Sequence, residues 1–243
     1  MRFKDKNIVI WGGNSGIGLA AAIEFRREGG RVFMLGRNPQ TLSSAQQEVG
    51  SDTKALRADI ADLAALDSVY EEVRKSLGTI DVLFVNSGIG GAIPFRQMTV
   101  EKWDEMFAVN LRGPYFAVQK ALPLMRSGAS IVLTSSIGHL RGWPGNSHYA
   151  AAKAGIRSLA RNIGVELVGE GIRVNCFSPG PIDTPLLGRS GMEEMRDHIR
   201  ESNPMKRFGD VTEAARAVLF LASNDASYIT GVDLTVDGGV CSF

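Results

Sequence analysis

The sequence has 243 residues, 44% of them hydrophobic and 22% charged, and this near-average composition excludes an intrinsically disordered chain. The length suits one large α/β domain or two small ones, and it is ample to bury a substantial core. The 27 basic and 26 acidic residues leave a net charge of +1, which excludes a nucleic-acid binder driven by bulk charge.

Short apolar runs alternate along the chain with longer segments whose apolar residues recur about every 3.6 positions. Most runs are continuously apolar, which is typical of strands covered on both faces of a parallel sheet. The alternation predicts one doubly wound α/β domain of the Rossmann type over residues 1–243, with seven parallel strands and helices on both faces. The predicted strands are Ile8–Trp11, Val32–Leu35, Lys54–Arg57, Val82–Val85, Ser130–Ser135, Arg173–Phe177 and Asp233–Val236. The predicted helices are Gly18–Glu28, Leu63–Leu77 and His148–Leu167.

Residues 181–208 lack the regular spacing of the other segments. Three prolines interrupt this stretch, and its apolar side chains follow no firm period. We predict a substrate lid or a short helical excursion here rather than a second domain. The apolar residues concerned are Leu186, Leu187, Met192 and Met195.

A glycine-rich segment follows the first predicted strand and leads into the first predicted helix. Glycine lets a backbone turn tightly against a pyrophosphate, and the helix N-terminus supplies free N–H groups and the positive end of its dipole. This context favours dinucleotide binding over an ordinary glycine loop, although a methyltransferase nucleotide loop has a related pattern. The predicted cofactor-binding residues in this turn are Gly12, Asn14, Ser15, Gly16, Ile17 and Gly18.

The end of the second strand indicates which dinucleotide binds. An acidic side chain there would hold the ribose 2′-hydroxyl of NAD and repel a 2′-phosphate. This chain has Gly36 followed by Arg37, whose guanidinium can grip a phosphate with two parallel N–H bonds. We therefore predict NADP, as NADPH in reduction, with NAD the less favoured cofactor. The alternative interpretation of Arg37 is a solvated surface residue.

Tyr149 and Lys153 begin a predicted helix, and their spacing of four places both side chains on one helical face. A free tyrosine has a pKa near ~10, too high for ready proton exchange at neutral pH. A neighbouring cation favours the phenolate and lowers that pKa. The pair is therefore a candidate general acid/base, although an amphipathic helix face would show the same spacing.

Polar residues at two more strand ends converge on the same rim. Ser136 follows the fifth predicted strand, and Asn86 follows the fourth. Because open α/β sheets bind ligands at the carboxyl ends of their strands, we expect Asn86, Ser136 and Tyr149 to lie beside the glycine-rich turn.

Together these motifs resemble the short-chain dehydrogenase/reductase family over essentially the full length, and are similar to its β-ketoacyl-[acyl carrier protein] reductases. The family tyrosine and lysine match Tyr149 and Lys153, and the family serine, thirteen residues before the tyrosine, matches Ser136 rather than Ser135. The other matching positions are the glycine pattern up to Gly18, Asp59 after the third strand, Asn86, Asn110, Pro179-Gly180 with Ile182 and Thr184, and Asp237–Gly239.

The resemblance implies hydride transfer between nicotinamide and a carbonyl or secondary alcohol substrate. Tyr149 would be the general acid/base, Ser136 would fix the substrate oxygen, and Lys153 would lower the tyrosine pKa and bind the nicotinamide ribose. The other implied contacts are Asn110 with a water of the proton relay, Asp59 with adenine, and Ile182 and Thr184 with the carboxamide and a neighbouring phosphate.

The chain departs from the family pattern at Trp11, which replaces the threonine of the glycine motif. Indole donates one hydrogen bond and accepts none, so the usual anchoring of the turn is in question. His139 and His148 lie near the predicted site, and we interpret them as pocket lining or surface residues.

Several functions fit these observations. The leading one is an NADP-dependent carbonyl reductase or alcohol dehydrogenase. The alternatives are an NAD-preferring alcohol dehydrogenase, a dinucleotide-sensing protein that has lost the reaction, and a SAM methyltransferase on a similar sheet. An apolar pocket is indicated by residues such as Ile137, Leu140 and Trp143, but it does not identify the substrate.

The remaining expectations concern partners and location. Two cysteines and three scattered histidines predict neither a disulfide scaffold nor a metal site. The N-terminus is too short for a secretory signal, and no apolar stretch approaches the ~20 residues of a membrane helix. We expect a cytoplasmic protein with a small-molecule substrate and no nucleic-acid or membrane partner. The resemblance further implies a homotetramer.

Overall fold

Seven parallel strands form one sheet in the order β3-β2-β1-β4-β5-β6-β7. The computed structural model describes residues 1–189 and 195–243. The strand order reverses between β1 and β4, and this reversal opens a crevice at the carboxyl edge of the sheet. The strands are β1 Asn7–Trp11, β2 Arg31–Gly36, β3 Lys54–Arg57, β4 Ile80–Val85, β5 Met125–Thr134, β6 Arg173–Pro179 and β7 Asp233–Val236.

Helices cover both faces of the sheet and bury it between two apolar layers. Side chains that alternate along each strand enter the two layers in turn, so Ile8 and Ile10 lie in one and Val9 and Trp11 in the other. The α-helices are α1 Gly16–Arg27, α2 Pro39–Val49, α3 Leu66–Leu77, α4 Val100–Phe107, α5 Gly113–Ala121, α6 Ser147–Leu167, α7 Pro185–Arg189, α8 Arg196–Ser202 and α9 Val211–Ala222. Of these, α3, α5 and α6 pack on one face, and α1, α2 and α9 on the other.

Local sequence signals set several helix ends. Asn38 caps α2 by accepting hydrogen bonds from the N–H groups of Gln40 and Thr41, and Pro39 begins the helix. Asp210 and Glu213 form a reciprocal capping box at the start of α9.

The predicted single doubly wound domain with seven parallel strands is confirmed. The ends of some elements differ from the predicted ones. Strand β5 begins at Met125 instead of Ser130, and α1 begins at Gly16 instead of Gly18. The segment 181–208 includes α7 and α8, whereas Met192 lies outside the described residues. Over the described ranges, no helix combines the length and apolarity needed to cross a bilayer.

Candidate active site

The turn between β1 and α1 is shaped for a close backbone approach. Gly12 has a φ of 75°, a region that favours glycine. A Cβ on Gly18 would lie 1.9 Å from the carbonyl oxygen of Gly12, so only glycine fits there. Ser15 makes no side-chain capping bond within the described chain, which leaves the first-turn N–H groups of α1 available to an anion.

Trp11 leaves the turn and packs into the core. Its indole N–H donates to the hydroxyl of Tyr70 at 3.0 Å, and that hydroxyl donates to the carbonyl of Ala117 at 2.6 Å. The turn is instead anchored through its backbone, because the N–H groups of Gly12 and Gly13 both donate to the carbonyl of Leu35. This answers the question raised by the missing threonine.

Asn86 connects the turn to the neighbouring strands. Its side-chain amide donates to the carbonyl of Gly12 at 3.4 Å and accepts from the hydroxyl of Thr134 at 3.1 Å. These bonds join the ends of β1, β4 and β5 along one rim, as the sequence predicts.

Arg37 lies beside Asp59 at one end of the cleft. The guanidinium and the carboxylate are 3.8 Å apart, and both side chains are about half exposed. Asp59 also accepts a hydrogen bond from the N–H of Ala61 at 3.0 Å. Arg37 lines the cleft together with Gly36 and Asn38, so its charge is within reach of a bound nucleotide.

Ser136 and Tyr149 meet at the end of β5. Their side chains lie side by side, because a Cβ on Gly138 would be 3.3 Å from Oγ of Ser136 and 3.2 Å from Cε1 of Tyr149. The hydroxyl of Ser136 also accepts from the N–H of Gly138 at 3.1 Å. Burial raises the pKa of Tyr149, and the neighbouring hydroxyl of Ser136 partly opposes that shift. The sequence predicts a lowered pKa from a neighbouring cation, and this prediction is wrong, because desolvation of the phenolate dominates.

Lys153 is buried beneath the tyrosine. Its ammonium donates to the carbonyl of Thr134 at 2.8 Å and lies 5.8 Å from the centre of the Tyr149 ring. Burial lowers the pKa of Lys153 to about 8. Ser135 differs from Ser136, because its hydroxyl donates to the carbonyl of Lys153 at 2.8 Å and so links the end of β5 to α6.

Asn110 sits in a π-helical turn, Ala108–Arg112, between α4 and α5. Its amide clamps the backbone of Ile89, accepting from the N–H at 2.9 Å and donating to the carbonyl at 2.8 Å. Because a further bond from Nδ2 reaches the sulfur of Met106, both amide hydrogens have protein partners, whereas Oδ1 keeps a second lone pair.

Thr184 and Ile182 occupy different environments. Thr184 lines the cleft, and its side chain is 3.4 Å from the position of a Cβ on Gly16. Ile182 is buried in the apolar layer of α1 and α9, and its backbone bridges to Gly209. Contact between Ile182 and a cofactor would therefore use its main chain.

The two histidines differ from expectation. His139 is buried and hydrogen-bonded to Asp233, a partner 94 residues distant in sequence that no local pattern indicates. His148 is fully buried on the face of α6 that also carries Ala152 and Ile156, and its ring nitrogens have no hydrogen-bond partner among the described residues. Neither is a surface residue. His148 points into the core because the i, i+4 spacing of α6 places it on the same face as Ala152 and Ile156.

The described residues include no group of histidine, cysteine, aspartate and glutamate side chains that could hold a metal ion. What the geometry assembles is a glycine turn with free N–H groups, followed along one rim by an asparagine, a serine, a half-buried tyrosine and a buried lysine. This arrangement can bind a dinucleotide and move a proton at its far end.

Comparison with known proteins reveals similarity over nearly the whole chain. The family model described as enoyl-(acyl carrier protein) reductase matches residues 12–241. The oxidoreductase asL5 of Sarocladium schorii is 40% identical over 98% of this chain and 97% of its own length. The 3-oxoacyl-[acyl-carrier-protein] reductase FabG of Thermotoga maritima is 35% identical over 99% of each chain. The crystal structure of levodione reductase superimposes with a TM-score of 0.94 at 33% identity over 100% of both chains.

Proposed function

The chain belongs to the short-chain dehydrogenase/reductase family and is an oxidoreductase, and we propose that it uses NADP to interconvert a carbonyl and a secondary alcohol. The observation that carries the proposal is the convergence of Ser136, Tyr149 and Lys153 at one end of the cleft. Membership of this family replaces the alternative of a SAM methyltransferase.

The residues of the cleft fit a dinucleotide. A side chain at position 18 would collide with the turn, and the exposed N–H groups of α1 suit a pyrophosphate. The turn residues up to Gly18, together with Asn86 and Thr184, would hold the cofactor, Asp59 would face its adenine, and Lys153 would hold its nicotinamide ribose. When bound, the cofactor would supply the hydride.

Tyr149 is proposed as the proton donor in carbonyl reduction. Its raised pKa keeps the phenol protonated at neutral pH, which is the form a donor requires. Ser136 would donate a hydrogen bond to the substrate oxygen and hold it against the phenol. Asn110 would keep the backbone at Ile89 in place beside Lys153 and the proton path.

Arg37 is proposed to select NADP. Its guanidinium lines the cleft, and the 3.8 Å separation from Asp59 is too long for a strong charge-assisted bond. The 2′-phosphate of NADP could therefore bind the guanidinium of Arg37 without breaking a tight ion pair with Asp59. An NAD-preferring enzyme is the outcome that would contradict this assignment.

The substrate is proposed to be a mainly apolar carbonyl compound. Leu186 lines the cleft, and Leu140 and Trp143 remain partly exposed in the segment between Ser136 and Tyr149. The segment 181–208, with α7 beside the cleft, is proposed as the lid. A cytoplasmic location and the absence of nucleic-acid and membrane partners stay predictions.

Replacing Tyr149 by phenylalanine tests the reaction. We expect NADPH to bind the variant with an unchanged Kd, whereas turnover falls at least about a hundredfold because the proton donor is missing. The measurement is NADPH oxidation with a panel of cyclic ketones, aromatic ketones and acyl thioesters. Tyr228→Phe is the matched control, since Tyr228 is fully exposed. Full turnover in the Tyr149 variant would refute the proposal.

A further inference from the structure

Asp233, the first residue of β7, has a side chain that is only 8% exposed and partners on three other elements. Oδ1 accepts from the hydroxyl of Ser178 on β6 at 2.6 Å. Oδ2 lies 2.9 Å from Nε2 of His139, in the turn after β5, and 3.5 Å from Nε of Arg157 on α6. A carboxylate removed from water is costly unless such partners replace the solvent. The four side chains are called the Asp233 cluster below.

The turn that carries His139 also carries Ser136. This single 3₁₀ turn, Ile137–His139, begins at Ser136, whose hydroxyl accepts from the N–H of Gly138. The N–H of His139 donates back to the carbonyl of Ser136 at 3.3 Å. Because so few residues intervene, fixing the imidazole against Asp233 fixes the position of the serine.

The opposite side of the cluster holds the helix of the catalytic tyrosine. Arg157 follows Tyr149 and Lys153 at successive spacings of four, so the three side chains lie on one face of α6. Besides its approach to Asp233, Arg157 donates to the carbonyl of Gly231 at 3.2 Å, just before β7. The same carboxylate therefore anchors the serine turn and the tyrosine helix.

These contacts close a ring. It runs from Tyr149 along α6 to Arg157, through Asp233 to His139, and along the turn to Ser136, whose hydroxyl lies beside the ring of Tyr149 next to Gly138. Resting on the proposed function, we infer that Asp233 and His139 are positioning residues that hold the hydroxyl of Ser136 beside Tyr149. They touch neither the cofactor cleft nor the reacting atoms directly, since neither lines the cleft.

The ring has a specific consequence for coupling between substitutions. If His139 acts through Ser136, removing His139 should matter only while Ser136 keeps its hydroxyl. We expect His139→Leu to lower kcat about tenfold with an unchanged NADPH Kd, because a small displacement of a catalytic group is costly. In the Ser136→Ala background the same substitution should change kcat less than about twofold. His139→Gln, which retains a donor toward Asp233, should restore most of the lost kcat.

A second measurement does not depend on turnover. In the cofactor-free protein, the pKa of Tyr149 can be followed by NMR of labelled tyrosine, and its signal among four tyrosines is identified with Tyr149→Phe. The neighbouring hydroxyl of Ser136 lowers this pKa, so a displaced Ser136 in His139→Leu should let the pKa rise toward the value in Ser136→Ala. Asn175→Ala is the control, because Asn175 bonds to Ile229 and Val232 ahead of β7 without touching the cluster. It should reduce thermal stability but leave kcat and the pKa of Tyr149 unchanged.

Three results would overturn the inference: an equal loss of kcat in both serine backgrounds, no loss at all, or a pKa of Tyr149 that does not move. The proposed function fails separately, if Tyr149→Phe retains turnover. In that case the NMR titration still decides whether the Asp233 cluster positions Ser136.

Discussion

Keeping the buried side chain of Lys153 protonated lowers the stability of the folded protein, and the size of this penalty depends on pH. Its pKa of about 8 lies below the usual 10.5, so the unfolded chain binds more protons between these values. The penalty is complete below about pH 8 and disappears as the pH rises toward 10.5. Native-state stability therefore gains from this residue as the solution becomes more alkaline.

The comparison of wild type with Lys153→Met isolates this effect from other titrating groups. Between pH 7.5 and pH 10, we expect the free energy of unfolding of wild type to rise relative to the variant by on the order of 2 kcal/mol. Urea denaturation of the cofactor-free proteins measures the difference. A difference that is flat with pH would show that Lys153 titrates normally.

Arg37 carries the prediction about cofactor preference. We expect Arg37→Ala to weaken NADPH binding about ten- to a hundredfold, the usual loss for a charge-assisted hydrogen bond. NADH lacks the 2′-phosphate, so its Kd should change less than about threefold. Calorimetric titration with both cofactors measures the two constants. The control is Lys54→Ala, which removes an exposed charge at the start of β3. Equal losses of affinity for NADPH and NADH in Arg37→Ala would contradict the phosphate role.

The junction of β1 with α1 depends on close contact between two backbone segments. Alanine is normally the better helix residue, by about 1 kcal/mol. At Gly18, however, the added Cβ would lie 1.9 Å from the carbonyl oxygen of Gly12 and 2.9 Å from the amide of Asn86. The steric conflict therefore outweighs the gain in helix propensity.

Gly18→Ala should consequently lower the free energy of unfolding by about 1–3 kcal/mol and abolish detectable NADPH binding. Thermal shift with and without NADPH reports both quantities. Gly169→Ala is the matched control, because a Cβ there meets nothing within 4 Å, and it should be neutral or slightly stabilising. A Gly18 variant that binds NADPH normally would show that the turn tolerates a side chain.

Assembly is the property expected of the molecule as a unit, and we propose a homotetramer. Exposed apolar side chains on α5 and α6, namely Tyr115 and Val165, with Val168 just beyond α6, are available to a second copy. Along α6 the small residues Ala150, Ala151 and Ala154 permit close approach of another helix, whereas Gly155 faces Leu111 of the same chain.

Sedimentation velocity should find about four times the mass of one chain. Val165→Glu should reduce that mass, since it places a charge within the proposed contact. Gln47→Glu adds the same charge at an exposed position on α2 and should leave the assembly intact. A wild-type chain that sediments as a stable monomer would reject the tetramer.

Much of the architecture follows from local pattern alone. The continuous apolar strands and the glycine-rich segment before α1 depend only on which residues are neighbours in sequence, and the seven parallel strands that they predict are confirmed. Helices α2, α4, α5 and α9 have no counterpart among the predicted elements. These helices have only 8 to 12 residues, and isolated helices of that length are marginal until they pack against the sheet.

The tertiary structure alone determines the electrostatic state of the proposed catalytic centre. Burial raises the pKa of Tyr149 instead of lowering it. Trp11 packs in the core, and the glycine turn is held by hydrogen bonds from its backbone. His139 acquires Asp233 as a partner only because β5, β6 and β7 lie side by side. Desolvation and contacts between distant residues depend on how complete elements pack, and no short stretch of sequence contains that information.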